Sequence, residues 1–120
     1  MIYYGGQWHI GTRGLLRSVD GGATFTQVWS GSSGSLYQPS DLEIDANNNI
    51  WAGTRDNAYG NGGGQILKSS DGTTWSTEYT TDEANRMELA CAPSNANIVY
   101  AVGSGGSGDD DIGIFVKSTN

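Results

Sequence analysis

Cysteine and proline are scarce in this chain of 120 residues, which has one cysteine and two prolines. A single cysteine excludes an intrachain disulfide framework. Cys91 lies in an apolar run over 89–92, so we interpret it as a small buried hydrophobe rather than a reactive thiol. The chain has nineteen glycines, and with so few prolines this composition indicates many tight turns.

Basic residues are also few, with six Lys plus Arg against 13 Asp plus Glu and a net charge of -7. The six cations are scattered along the chain and form no basic patch. We therefore predict no nucleic acid partner and no anionic membrane partner, since both need clustered positive charge. Nothing in the pattern indicates a cofactor.

Long apolar runs are missing as well, so no segment is predicted to span a membrane. The first residues have neither the basic start nor the apolar run of a signal peptide, which leaves the compartment unknown. A secreted or cell-surface location stays open if the chain is a fragment of a longer protein. The many Tyr, Trp, Thr, Val and Ile residues favour strands, and no long window has helical periodicity, so we predict an all-β fold.

One motif, Ser-x-Asp-x-Gly-x-Thr-aromatic, occurs twice and begins a third time. Its first copy consists of Ser18, Asp20, Gly22, Thr24 and Phe25. Its second copy, one residue shorter, consists of Ser69, Asp71, Gly72, Thr74 and Trp75. A third copy begins at Ser118 and has Asn120 at the Asp position. The resulting period of about 50 residues is typical of propeller blades or another repeat array.

The segments around the motif can be stacked as strands. Residues 1–12 align without a gap on 43–54, and 89–103 align with two extra residues in the turn. Each segment reads as a strand, a polar turn and a second strand, followed by a third strand before the motif and a fourth after it. This predicts eleven strands in a single partial β-propeller domain over 1–120, with four-stranded antiparallel blades at about 1–34, 35–84 and 85–120, the last lacking its outer strand.

The motif, period and strand order together resemble the Asp-box, or BNR-repeat, family. The first copy fits that pattern with Phe25 in place of the usual Trp, the second lacks one residue before Gly72, and the third has Asn120 for Asp. The family includes sialidases, xyloglucan-degrading glycosidases, sortilin-type receptors and photosystem-assembly factors, so the resemblance implies a fold and names no function. It also implies that the motif residues are a folding device away from the active face.

The residues of the motif suit a structural turn. The Asp20 and Asp71 carboxylates can accept hydrogen bonds from N–H groups of their own turns, and glycine allows backbone angles that a Cβ opposes. Phe25 and Trp75 are expected to pack between blades. Neither turn has the ligand series of a calcium loop, and we interpret the acidic run at 109–111 as a solvated loop tip, so no metal site is predicted.

Loops between the second and third strands are predicted at 13–14, 55–64 and 104–111. The same strand pair generates all three, so they should share one face, either as binding loops or as plain flexible connectors.

A catalytic site is weakly indicated. The arginine cluster, tyrosine nucleophile and carboxylates of a sialidase cannot be placed in this chain. Aligning Leu42 with Leu89 puts Asp41 and Glu88 at the same position of adjacent innermost strands. Packed sheets lie about 10 Å apart, near the roughly 6.5–9.5 Å between the carboxyl groups of inverting glycosidases. The single histidine, His9, aligns with Trp51 and Tyr100 and is expected to fill a packing slot.

Three blades cannot close a ring, and their outer faces would be bare. Either two copies form a six-bladed homodimer, or the chain is a piece of a longer protein. We expect a non-catalytic propeller module that binds a protein or a glycan. The alternatives are a fragment of a polysaccharide-degrading glycoside hydrolase and a purely structural repeat.

Overall fold

The computed structural model describes residues 2–6, 14–31, 37–56, 60, 62–105 and 111–119. These residues contain ten β-strands and no helix, which confirms the all-β prediction. The strands are β1 (Ile2–Gly6), β2 (Gly14–Ser18), β3 (Thr26–Trp29), β4 (Gln38–Ile44), β5 (Ile50–Arg55), β6 (Gln65–Ser69), β7 (Ser76–Thr80), β8 (Arg86–Cys91), β9 (Val99–Ser104) and β10 (Ile112–Lys117).

Consecutive strands pair in antiparallel fashion to give three units. The first unit is β1-β2-β3, the second is β4-β5-β6-β7, and the third is β8-β9-β10. The second and third units also pair where the end of β5 meets the start of β8, with Arg55 opposite Arg86. This single pair joins them into one curled seven-stranded sheet, while the first unit is a separate three-stranded sheet.

The register of β1 corrects the predicted alignment of the first unit. Ile2 lies opposite Ser18, just as Ile50 lies opposite Ser69. The first strand is therefore equivalent to β5, at an offset of 48 positions, and the offset of 42 positions was wrong. Alternating strand patterns match in several registers, and only the partner strand decides among them. The strand predicted at 8–12, which includes His9, lies outside the described residues. Tyr3, and not His9, holds the position equivalent to Trp51.

The third unit follows the predicted alignment. Leu89 lies opposite Ala101 as Leu42 lies opposite Ala52, so the alignment of Leu42 with Leu89 is confirmed. It follows that Asp41 and Glu88 hold equivalent positions on β4 and β8. No described strand of the first unit is equivalent to these two, because its first described strand corresponds to β5.

Two hydrophobic clusters lie between the units. The smaller contains Leu15 of the first unit with Ala52 and Leu67 of the second. The larger contains residues of the second and third units: Trp51, Ile66, Ala84, Met87, Leu89, Val99 and Ala101. Neighbouring residues of one strand point to opposite faces, which is why Trp51 and Ala52 belong to different clusters. The second unit is thus covered on both faces, and burial of each Leu or Ile side chain contributes about 1.5–3 kcal/mol.

The second and third units approach most closely where β5 passes β8. A Cβ on Gly53 would stand close to the Met87 carbonyl oxygen, at 2.4 Å. The Ser40 hydroxyl donates a hydrogen bond of 2.7 Å to that same oxygen. A glycine is needed at position 53 because a backbone carbonyl occupies the space of a side chain.

Candidate functional site

The first repeated turn is held by Asp20 and Ser18. The Thr24 amide donates to Asp20 Oδ1 at 2.9 Å, and the Thr24 hydroxyl donates to Oδ2 at 2.5 Å. Ser18, which is buried, donates to Asp20 Oδ1 and accepts from the Gly22 amide at 2.8 Å. Gly22 has φ of 93°, a left-handed value that favours glycine. These bonds turn the chain from β2 into β3.

The second turn reaches the same result with one residue fewer. Asp71 Oδ1 accepts from the amides of Thr73 and Thr74 at 2.8 and 2.7 Å. Ser69 Oγ accepts from the Gly72 amide at 2.8 Å, as Ser18 does from Gly22. The missing residue therefore changes which amides reach the carboxylate and leaves the serine bond unchanged.

Hydrogen bonds stabilise the ionised form of both turn carboxylates. The Thr24 hydroxyl, followed by the Thr24 amide, holds the pKa of Asp20 well below its usual range. The amides of Thr74 and Thr73 do the same for the pKa of Asp71. Both carboxylates stay charged at any physiological pH, so neither suits general acid catalysis.

The aromatic residue that ends the motif behaves differently in the two copies. Trp75 packs against the smaller cluster, between the first and second units. Phe25 does not follow the expectation of packing between units, because its side chain is 42% exposed. Phe25 holds the position of Trp75 in the first unit, and no described residue of another unit packs on that face.

A second set of interactions surrounds Trp51 in β5. The Trp51 indole N–H donates to Asp45 Oδ2 at 2.9 Å, and the Asn47 and Asn49 amides donate to Oδ1. Burial raises the pKa of Asp45, but the bonds from Trp51 and Asn49 outweigh it, so the pKa lies below its ordinary value. The polar turn between β4 and β5 is thereby tied to the larger cluster.

In both the second and third units, a lysine on one strand lies over an aromatic ring on the neighbouring strand. The Lys68 ammonium lies 4.7 Å from the Trp51 ring centroid, and Lys117 lies 5.6 Å from that of Tyr100. Both pairs are directly opposite in the register. Arg17 and Tyr3 are opposite in the first unit. The sequence signal is a basic residue immediately before each motif serine. The aromatic partner in the first unit, Tyr3, was missed because the predicted alignment placed His9 at that position.

The two candidate catalytic carboxylates are engaged by other groups. Asp41 Oδ2 accepts from the Leu89 amide at 2.7 Å, which ties β4 to β8, and Oδ1 accepts from the Leu42 amide. Glu88 pairs with Arg86, whose Nε donates at 2.6 Å. Both therefore make contacts that a structural role accounts for.

Cys91 is half-buried against the larger cluster. Burial, and then the negative charges of Glu43, Asp45 and Asp41, raises the pKa of its thiol to about 11. Little thiolate exists at neutral pH, so this group is a poor nucleophile.

An open groove of mixed character lies between the first and second units. Its volume is about 430 Å³, and it is lined by residues 27–30 of the first unit and by residues 73–75 of the second. Both indoles, Trp29 and Trp75, are partly buried against the smaller cluster, so their positions are fixed by the packing of the two units. Indole faces beside hydroxyl and amide groups suit a ligand that has both apolar and hydrogen-bonding surfaces.

The connecting loops share a topological origin. They join β1 to β2, β5 to β6 and β9 to β10. The connection predicted at 13–14 is corrected at Gly14, which lies in β2, and Arg13 lies outside the described residues. The Asp56 backbone amide donates a hydrogen bond of 2.7 Å to the Asn85 carbonyl oxygen, which places the start of one connection beside the third unit. Most of these loops lie outside the described residues, including Asp109 and Asp110 of the acidic run.

Among the described residues, no three His, Cys, Asp or Glu side chains come together as metal ligands. No helix in this part of the chain is long and apolar enough to cross a membrane. No family model, curated protein or solved structure matches the sequence.

Proposed function

We propose that the chain is a non-catalytic β-propeller binding and scaffold module of the Asp-box type, and that its ligand is a glycan. Three features support the propeller architecture. Each unit is an antiparallel meander, and equivalent residues of the units pair in the same register. The faces of neighbouring units pack on each other. The repeated turn connects β2 to β3 and β6 to β7. The molecule measures 40 × 39 × 21 Å, and the shortest extent is close to the roughly 20 Å length of a six-residue strand.

The observation that carries the non-catalytic assignment is the engagement of the acidic side chains. Asp41 bridges β4 and β8, and the carboxylates of Asp20, Asp45 and Asp71 each accept several local hydrogen bonds. A general acid needs a pKa near the working pH, whereas the pKa of each of these three is lowered. The acidic residues thus support the fold.

The groove between the first and second units is the proposed ligand site. Sugar rings present apolar faces to indoles and hydroxyl groups to amides and alcohols, and the groove has Trp29 and Trp75 beside Gln27, Ser30 and Thr73. Because both units contribute, binding should depend on their packing.

The test is binding to a panel of soluble plant and bacterial polysaccharides by affinity electrophoresis, with release of reducing ends measured on the same panel. We expect retention by at least one polysaccharide without release. Ser30→Arg should fill the groove and abolish retention, whereas Ser70→Arg, at an exposed position outside the groove, should not. Retention of a protein instead of a glycan would assign the other ligand class. Release of reducing ends that Asp41→Asn or Glu88→Gln abolishes would overturn the proposal in favour of a glycoside hydrolase.

A further inference from the structure

The third unit has an uncovered face that matches a covered face of the second. By register, Tyr100 and Phe115 hold the positions of Trp51 and Ile66. Trp51 and Ile66 are 7% and 6% exposed beneath the third unit, whereas Tyr100 and Phe115 are 36% and 66% exposed. The two rings lie 6.1 Å apart, centroid to centroid. We call Tyr100 and Phe115 the trailing face.

The first unit has the complementary uncovered face on its other side. By register and motif, Leu16 and Phe25 hold the positions of Leu67 and Trp75, which pack against the first unit. Leu67 is 1% exposed and Trp75 is partly buried, whereas Leu16 is only partly buried and Phe25 is 42% exposed. We call Leu16 and Phe25 the leading face. Tyr100, Phe115 and Phe25 are thus each more exposed than the equivalent Trp51, Ile66 and Trp75.

The interfaces inside the chain define what covers such a face. In each, aromatic or branched residues of one unit meet leucine and alanine positions of the next unit. A lysine in the trailing face does not oppose covering, because Lys68 lies over Trp51 in the face that is already covered. The trailing face therefore has the residue types that meet the leucine position of a following unit, which Leu16 holds in the first unit; Tyr4 holds the alanine position there.

Val102 distinguishes between two kinds of occupant. It holds the position of Gly53, where the innermost strand of the next unit leaves no room for a side chain. A four-stranded unit docked in the same way would place its innermost strand against Val102. The first described strand of the first unit is equivalent to β5, so the described part of that unit brings no innermost strand against Val102.

We propose that the trailing face of one copy binds the leading face of a second copy, and that two such head-to-tail contacts close a ring of two chains. A head-to-tail contact closes when the rotation permits, and with two chains both exposed faces of each copy become buried. The occupant is a second copy of this chain, and the inference does not depend on the proposed glycan.

The test uses substitutions on each face, with masses measured by sedimentation velocity. Phe115→Asp removes the trailing face of every copy and Phe25→Asp removes every leading face, so each variant should be monomeric. Val19→Asp is the matched control, since Val19 is 75% exposed and lies on neither face; it should form a dimer like the parent chain. Cooperative thermal unfolding shows that each variant is folded, and Phe115→Ser replaces Phe115→Asp if the latter is not.

Mixing the two monomeric variants separates this proposal from other dimers. One trailing face and one leading face survive in the mixture, so a heterodimer with a single contact should form, with at least a tenfold weaker affinity than the parent dimer. Failure of the mixed variants to associate, or a dimer that persists in either variant alone, would overturn the proposal.

Discussion

The second and third units place similar residues in the same register but in different surroundings. Trp51 and Ile66 are buried beneath the third unit, and Tyr100 and Phe115 have nothing described above them. The lysine opposite the aromatic ring is kept in both units. Residues that look alike in sequence therefore differ in what they contribute, because a neighbouring unit decides whether a face is core or surface.

The largest difference is expected between Ile66→Ala and Phe115→Ala. Ile66 is 6% exposed, so its truncation leaves a cavity and should cost about 2–5 kcal/mol of the free energy of unfolding. Phe115 is 66% exposed, so in the monomer its truncation should change that free energy by less than about 0.5 kcal/mol. Urea unfolding at a dilution that favours the monomer gives both values. Equal losses of unfolding free energy in the two variants would contradict the claim that Ile66 is buried by a neighbouring unit and Phe115 is not.

A second comparison uses Gly53 and Val102, which are also equivalent. Gly53→Ala would place a Cβ 2.4 Å from the Met87 carbonyl and should destabilise the chain by about 1–3 kcal/mol. Thermal unfolding should show this as a lowered Tm. Val102→Gly would give β9 the glycine that β5 has at this position, but no following strand is described beside it. The substitution should therefore lower the free energy of unfolding only through the added flexibility of the chain, by about 1 kcal/mol. A neutral Gly53→Ala would contradict the close approach of β5 and β8.

The aromatic positions provide a third comparison. Trp51→Phe removes the indole donor to Asp45 Oδ2 and leaves only the Asn49 side-chain amide on that oxygen of a buried carboxylate, which should cost about 1–3 kcal/mol. Tyr100→Phe removes only a phenol oxygen from a 36% exposed ring and should be nearly neutral. Guanidinium unfolding curves of both variants give the difference. Two equal costs would exclude the Asp45 bond as the cause.

The smallest predicted effect is on the stability of the chain in acid and concerns the carboxylates of the two repeated turns. The pKa of Asp20 and of Asp71 is lowered in the folded chain from an ordinary 3.8, so both favour the folded state above that value. Stability should therefore be level from neutral pH down to about 5 and fall as the pH drops below about 4. Asp71→Asn should flatten part of this acid fall, while Ser70→Ala, beside it in the same turn, should leave it unchanged. An acid fall identical in Asp71→Asn and the parent would contradict the assignment.

The sequence predicts the repeat well because its strongest signals are local. The turn motif needs particular residues at fixed spacing, so the hydrogen bonds among Ser18, Asp20 and Gly22 can be predicted from the sequence. The all-β class follows from alternation and turn residues. The equivalence of Asp41 with Glu88 was also readable, since Leu42 and Leu89 begin the same pattern.

Register and the covering of a particular side chain are not local, and both were predicted wrongly in the first unit. Residues 1–12 fit more than one register, and only pairing with β2 shows that Ile2 corresponds to Ile50. Phe25 and Trp75 look alike in the motif, but only Trp75 has a neighbouring unit against it. The groove beside Trp29 joins residues more than 40 positions apart in sequence, so no motif could indicate it.

The most direct test of the equivalence between covered and uncovered faces is the absolute mass of the unmodified chain, measured by light scattering after size exclusion over a wide range of concentrations. Our account predicts a species of two chains, twice the 12.7 kDa of one, that dissociates to the monomer only on dilution. A mass of one chain at every concentration would show that Tyr100, Phe115 and Phe25 are ordinary surface, and would contradict the claim.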